Sequence, residues 1–235
     1  ISRVNLDWGI PVPGYEGHTF YVWFDALVGY LTALTSDKTN RSSLDKVTDL
    51  GWPLVTHVIG KDILRFHTIY WPAMLLSAGL EPPDRVFGHG FITREGHKMG
   101  KSLGNVLDPD SLLETVGINA VRWYLLKDLN FGNDGDFQVQ RFTDLVNNDL
   151  ANTIGNMLNR TCSMSRKWFN NSIPEVVIDS TRDNIMKSTA IETINNVRAN
   201  YKILNFKAVS EEILLLAKKA NVFLNDNAPW QLIKE

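Results

Sequence analysis

Apolar positions in the first 130 residues alternate between strand-like and helical periods. Thr19-Phe20-Tyr21-Val22-Trp23 follows a turn-rich stretch and is β-branched and aromatic, which predicts a strand. Apolar spacing over 27–34 then predicts a helix carrying Tyr30 and Leu31 on one face. Residues 36–49 are polar and rich in Asn, Ser and Lys, as expected of a surface excursion. Leu54-Val55-Thr56-His57-Val58-Ile59 is a short apolar run leading into Gly60-Lys61-Asp62, and a helical pattern over 63–78 stops at Gly79. A strand, a glycine turn and a helix in that order predict a βα unit of a parallel sheet. Pro72 should kink this helix or mark a boundary in it. Arg85-Val86-Phe87-Gly88-His89 predicts a second strand, and residues 91–99 a hairpin turning at Glu95-Gly96. Asp108 and Pro109 supply an N-cap and a first helical residue. A further helix over 119–129 is expected to bury Val121, Tyr124 and Leu125.

Beyond the loop Gly132-Asn133-Asp134-Gly135-Asp136 the strand signal nearly vanishes. Phe142, Leu145, Val146, Leu150, Ile154, Met157 and Leu158 recur at helical spacing, and two more helical patterns cover 181–205 and 206–225. The expected architecture is α/β: a parallel-sheet domain over 1–135, then an α-helical bundle over 136–235. No internal repeat or low-complexity tract is visible.

Composition narrows this little. The chain has 235 residues, 44% hydrophobic, with a net charge of −2, which is ordinary for a globular protein. Residues 1–150 carry 13 Lys+Arg against 18 Asp+Glu, and the remainder 11 against 8. That mild positive bias falls short of a nucleic-acid footprint by charge alone. A single cysteine, Cys162, excludes an internal disulfide and a Cys-rich zinc cluster. No apolar run approaches the roughly 18 residues a membrane span needs. The sequence opens Ile1-Ser2-Arg3-Val4 without an initiator Met, a signal h-region or a transit peptide, so a piece of something longer is expected.

The chemistry concentrates in Gly96-His97-Lys98-Met99-Gly100-Lys101-Ser102-Leu103-Gly104-Asn105. Two lysines three apart among glycines, between a hairpin and a capped helix, suit polyphosphate oxygens. On spacing alone a solvated surface turn is an equal alternative, and the spacing is not that of a P-loop. Read alone, Gly60 and Asp62 fit a turn glycine with a helix cap. Likewise read alone, Trp23 and Tyr30 suit a core, and His67 suits a helix interior. Asn156 and Arg160, four apart, share a helix face, and Trp230 follows Pro229; their chemistry can read and stack on bases, but read alone they better suit an exposed polar pair with a Trp packed on a helix end.

Lys98-Met99-Gly100-Lys101-Ser102 resembles the Lys-Met-Ser-Lys-Ser signature of class I aminoacyl-tRNA synthetases, with Gly100 in place of the first serine. Asp7-Trp8-Gly9-Ile10-Pro11-Val12-Pro13, Tyr21-Val22-Trp23-Phe24-Asp25-Ala26, Ile59-Gly60-Lys61-Asp62-Ile63-Leu64-Arg65-Phe66-His67, His89-Gly90-Phe91, Leu150-Ala151-Asn152-Thr153-Ile154-Gly155-Asn156 and Ala228-Pro229-Trp230 follow in the order seen in methionyl-tRNA synthetases. The similarity covers nearly the whole chain, except that little can be said of 36–49 and 170–200. It implies the second half of a class I Rossmann-like sheet followed by an anticodon-binding helical bundle. It implies activation of methionine with ATP and Mg2+ as substrate, then transfer to a tRNA with a CAU anticodon. By the resemblance, Lys101 stabilises phosphate charge with Lys98 assisting; Gly60, Asp62, His89, Lys98 and Lys101 form the ATP site. Trp23, Ala26, Tyr30 and His67 form the methionine pocket, in which a thioether packs on aromatic rings and His67 approaches the sulphur as a weak donor. Asn156, Arg160 and Trp230 read the anticodon. Leu27 stands where many relatives carry Pro and should keep the pocket wall apolar.

The family's His-Ile-Gly-His signature does not occur in these 235 residues. The expectation is therefore a methionine–tRNA ligase or a fragment of one, with a truncated, non-catalytic anticodon-binding module as the alternative. No metal is assigned. No exchange activity is expected of this chain alone, and its strand edge and apolar faces should make it unstable by itself. The wording of the lysine loop and of Phe131-Gly132-Asn133-Asp134-Gly135-Asp136 resembles cyanobacterial and plant organellar enzymes, pointing to chloroplast or mitochondrion, or else a bacterial cytoplasm.

Overall fold

The computed structural model describes all residues except 5, 7, 36–45, 173–174, 176–180 and 234–235, and except the side chains of 101 and 181–183. Packing divides the chain into two compact units, Ile1–His89 and Gly90–Glu235. The sequence pattern places its boundary at 135/136, where strands disappear. The packing boundary falls earlier because the hairpin after His89 pairs with backbone just ahead of the helices.

In the first unit, β1 (Ser2–Arg3) pairs antiparallel with β2 (Thr19–Phe20), and β3 (Thr56–Gly60) pairs parallel with β4 (Arg85–His89). The expected βα unit is present. The expected strand over 19–23 ends at Phe20, and Val22 opens α1 (Val22–Thr35). Trp23, Leu27, Tyr30, Leu31 and Leu34 share helical spacing, and that periodicity overrides local β preference. Leu27, Leu31, Val47, Trp52, Trp71 and Leu75 form the core. Val47 is fully buried, so the polar stretch 36–49 is not all surface; residues 36–45 lie outside the described residues.

The segment after β3 is not one regular helix. A 3-10 turn (Lys61–Ile63) leads to a π-helical turn (Phe66–Tyr70) and then α2 (Trp71–Ser77). The Trp71 N–H reaches back five residues to the Phe66 carbonyl. Pro72, which has no N–H to donate, sits in the first turn of α2, as its boundary role requires. On the solvent side, Phe24, Val28, Met74 and Ala78 line an open apolar groove of about 510 Å³.

In the second unit, β5 (Ile92–Arg94) and β6 (His97–Lys98) make the expected hairpin. Glu95 and Gly96 have φ of 50° and 77°, the signature of a type I′ turn. The loop expected at 132–136 contains a strand, β7 (Gly135–Phe137), parallel to β5. Side chains hold it there: the Phe91 N–H donates to Asp134 Oδ1 at 2.8 Å, and Gly96 N–H and Thr93 Oγ1 donate to Asp136 Oδ1 at 2.8 and 2.7 Å.

The helices follow: α3 (Pro109–Val116), capped by Asp108, then α4 (Ile118–Lys127), α5 (Val139–Leu145), a π-helical stretch (Val146–Gly155), α6 (Asn156–Phe169), α7 (Thr181–Lys202), α8 (Phe206–Asn227) and the short α9 (Pro229–Leu232). Ala120, Tyr124, Phe137 and Phe142 form their core with Val121 against it, whereas Leu125, expected inside, is 37% exposed. Asp149 is buried and accepts from Lys127 Nζ and Trp123 Nε1. No helix among the described residues is long and apolar enough to cross a membrane.

Candidate functional site

Three of the four residues expected to hold methionine converge in the first unit. Trp23, Ala26 and Tyr30 lie three and four residues apart along α1, and His67 comes from the π-helical turn. The Trp23 and His67 rings meet edge-on at 5.9 Å, and those of Tyr30 and His67 at 5.6 Å. Tyr30 Oη lies 2.8 Å from His67 Nε2. His67 Nδ1 lies 3.0 Å from the Ile63 carbonyl, which can only accept, so Nδ1 carries the proton. In the neutral ring Nε2 then accepts from the Tyr30 hydroxyl. Both ring nitrogens are committed inside the protein, leaving no N–H for a sulphur atom in this arrangement. Ala26 is exposed on the same helix face. Leu27 is wholly buried among core residues and forms no pocket wall.

Residues that sequence reasoning passed over complete the cluster. Phe66 stacks on Trp23 at 4.5 Å and 16°. His57 lies 4.3 Å from the Tyr30 ring and accepts from Trp71 Nε1 at 3.3 Å. Burial pushes the Tyr30 phenol up, and burial together with nearby His67 pushes the His57 ring down. One signal for His57 was available: it takes the inward position of the alternation along β3.

At the carboxyl ends of the two parallel strands, Gly60 and His89 are partners in register. This end of an open α/β sheet is where ligands bind. Gly60 has an ordinary φ of −65°, so backbone strain does not demand glycine there. Space sets the position of a neighbour instead: a Cβ would lie 2.6 Å from Asp62 Oδ1, the end of an exposed side chain that would have to move. The glycine lets the exposed Asp62 carboxylate fold back over the strand end, and no side chain caps the turn it sits in.

In the second unit, Lys98 ends β6 with its ammonium 5.8 Å from the Phe91 ring, and Lys101 opens a 3-10 turn (Lys101–Leu103). The Lys101 side chain lies outside the described residues. Asn105 braces the loop: the Gly100 N–H donates to its Oδ1 at 2.9 Å, and its Nδ2 donates to the Lys98 carbonyl at 3.1 Å. Met99 Sδ accepts from the Leu107 N–H.

Of the residues expected to read RNA, Arg160 and Trp230 meet in this unit. Asn156 opens α6, exposed, with Arg160 one turn on. The Arg160 guanidinium sits 5.2 Å from the Trp230 ring and donates to Asn225 Oδ1 at 2.8 Å. Asn225 is a further residue that the sequence pattern did not single out. Among the described residues, no group of three or more His, Cys, Asp or Glu side chains could hold a metal ion.

Residues 1–162 match the family model described as tRNA synthetases class I (M). The chain belongs to this family. It is 50% identical over 236 residues to the methionine–tRNA ligase of Nostoc sp., covering 100% of this chain and 44% of that protein. It is 48% identical over 238 residues to the Arabidopsis thaliana methionine–tRNA ligase named chloroplastic/mitochondrial, covering 100% of this chain and 38% of that protein. The fold matches the Mycobacterium tuberculosis methionyl-tRNA synthetase in complex with methionyl-adenylate, with a TM-score of 0.87 and 39% identity over 100% of this chain and 45% of that one. The free form of that enzyme matches at a TM-score of 0.84. The chain thus has the class I synthetase fold and spans less than half the length of these relatives.

Proposed function

We propose that the chain is a methionine–tRNA ligase or the part of one that carries the methionine pocket, the lysine loop and the anticodon-reading helices. The observation that carries this is the enclosed Tyr30–His67 pair, 2.8 Å apart and edged by Trp23, in a chain of this family. Soft sulphur packs favourably at aromatic edges, and Trp23 with Tyr30 supplies them. With both His67 nitrogens engaged, the ring's part is to hold the phenol, and the thioether is recognised by ring contacts.

ATP with Mg2+ enters as substrate. Asp62, folded over Gly60 beside His89, is suited to accept from ribose hydroxyls. Lys98 and Lys101 offer point charges for the phosphates as pyrophosphate leaves. The methionine carboxylate is the nucleophile at the α-phosphate, so positioning and charge are what the protein contributes. Asn156, Arg160 and Trp230 are the proposed readers of a CAU anticodon. An organellar location, chloroplast or mitochondrion, is proposed, with a bacterial cytoplasm as the alternative.

Two measurements test this. Calorimetry with L-methionine should show binding that Trp23→Ala abolishes; no binding to the unsubstituted chain would remove the pocket assignment. Titration with a CAU-anticodon tRNA should weaken about tenfold or more on Arg160→Ala. Unchanged binding would remove the anticodon assignment. The alternative reading, an anticodon-binding module without adenylate chemistry, draws on the absence of a His-Ile-Gly-His signature from these 235 residues. Methionine-dependent ATP–pyrophosphate exchange by the chain would exclude this alternative; its absence, expected from these 235 residues without that signature, fits both readings.

A further inference from the structure

His57 is a buried titratable group to which neither the pocket nor the nucleotide site gives a task. It is 6% exposed and sits at the centre of an aromatic shell. Its ring centroid lies 4.3 Å from Tyr30, 5.7 Å from His67 and 6.1 Å from Trp52. The indole N–H of Trp71 is purely a donor and reaches His57 Nε2 at 3.3 Å. That nitrogen is therefore unprotonated, and the ring is the neutral Nδ1–H tautomer. Trp71 is itself buried in the core, 1% exposed.

We propose that His57 is a positioning residue for side-chain selection: anchored by Trp71, it fixes the tilt of the Tyr30 phenol and so the hydroxyl that donates to His67. The inference rests on the methionine reading of the pocket and deepens it.

The Tyr30 phenol is held at two points. Its hydroxyl is tied to His67 Nε2, whose ring is turned by the Ile63 carbonyl, and its face rests on His57. With the face contact loosened, the phenol can rotate about its side-chain bonds and draw its hydroxyl away from Nε2. His67 has no exposed surface, so a nitrogen abandoned there finds no water. The ring then changes tautomer or shifts. The difference between sulphur and methylene in an apolar pocket is small and depends on how closely aromatic edges approach. A pocket that prefers a thioether to an all-carbon chain of equal length therefore needs its rings held, and His57 links the phenol to the buried core.

The test uses the full chain with His57→Gln, His57→Phe and Trp71→Phe, probed with L-methionine and L-norleucine by calorimetry. Nitrogen NMR of the His67 ring runs alongside. Gln offers an amide oxygen to Trp71 and should keep the wild-type affinity ratio within about twofold. Phe fills the space without an acceptor, and it should reduce the ratio by up to about tenfold and alter the His67 nitrogen signals. Trp71→Phe removes the same anchor from the other side and should act alike, which keeps the test open if His57→Phe does not fold. An unchanged ratio with unchanged His67 signals in a folded His57→Phe or Trp71→Phe variant overturns the proposal. If the unsubstituted chain binds neither amino acid, the pocket reading fails, and the His67 signals alone then decide whether His57 positions the pair.

Discussion

A tyrosine that spends its only proton on a buried imidazole has consequences for both partners. Tyr30→Phe strips His67 Nε2 of its donor in a place without exposed surface. An unpaired buried acceptor costs about 1–3 kcal/mol. The expected outcome is a loss of that size in urea unfolding, with weaker methionine binding by calorimetry. A small effect would mean that the pair does not hold the ring. Gly60 acts differently. Its φ is ordinary, so Gly60→Ala should hardly disturb folding, but the new Cβ drives the Asp62 carboxylate from its place 2.6 Å away. Adenosine binding should fall while methionine binding stays near wild type, and parallel losses in both would point to a general disturbance of the strand end.

At the scale of elements, the lysine loop is shaped by one amide. Asn105 pairs with the Gly100 N–H and the Lys98 carbonyl as a neighbouring strand would. Asn105→Ala should raise hydrogen exchange at Gly100 and loosen the loop without melting β5 and β6, whose turn and pairing do not involve it. This clamp was invisible in the sequence, because an asparagine seven residues from its partner carries no periodic signal. The hairpin was legible, since a Gly at the second turn position and alternating flanks are local signals. The β3–helix–β4 order was legible for the same reason. β7 was not: three residues in an Asn-, Asp- and Gly-rich run become a strand only because Asp134 and Asp136 catch backbone and side-chain donors from β5 and its turn. Trp23 was misplaced because its local β preference pointed one way and its spacing with Leu27 and Tyr30 the other. Of the site, residue identities were carried by motif resemblance. What the motifs could not supply were the supporting contacts: His57 and Asn225 act only once distant segments meet, and Asn105, though it closes the lysine-loop segment, acts only once that loop turns back on itself.

At the scale of the whole chain, two acid-sensitive groups lie in different units. His57 titrates below its ordinary 6.5 because burial and then His67 disfavour its charged form. Above 6.5 folded and unfolded forms are both neutral there; as pH falls below it the unfolded form takes the proton first, so stability drops until the folded value is passed. Asp136 is held below 3.8 mainly by the Thr93 hydroxyl, then by the Gly96 N–H and Gln138. Its contribution is present above 3.8 and is lost as pH falls through the folded value. Acid titration followed by amide exchange should therefore show protection falling first in Ile1–His89 and, at lower pH, in Gly90–Glu235. His57→Gln should remove the earlier step, and one common transition would contradict this assignment. The guanidinium resting on Trp230 has an effect that single substitutions conceal. An arginine already immobilised by an indole and by Asn225 has given up its rotamer freedom during folding. Removing the indole releases it again, and re-ordering such a side chain on binding costs about 0.5–1.5 kcal/mol. Losses from Arg160→Ala and Trp230→Ala in RNA binding should therefore be sub-additive, with the double variant weaker than either single one by less than their sum.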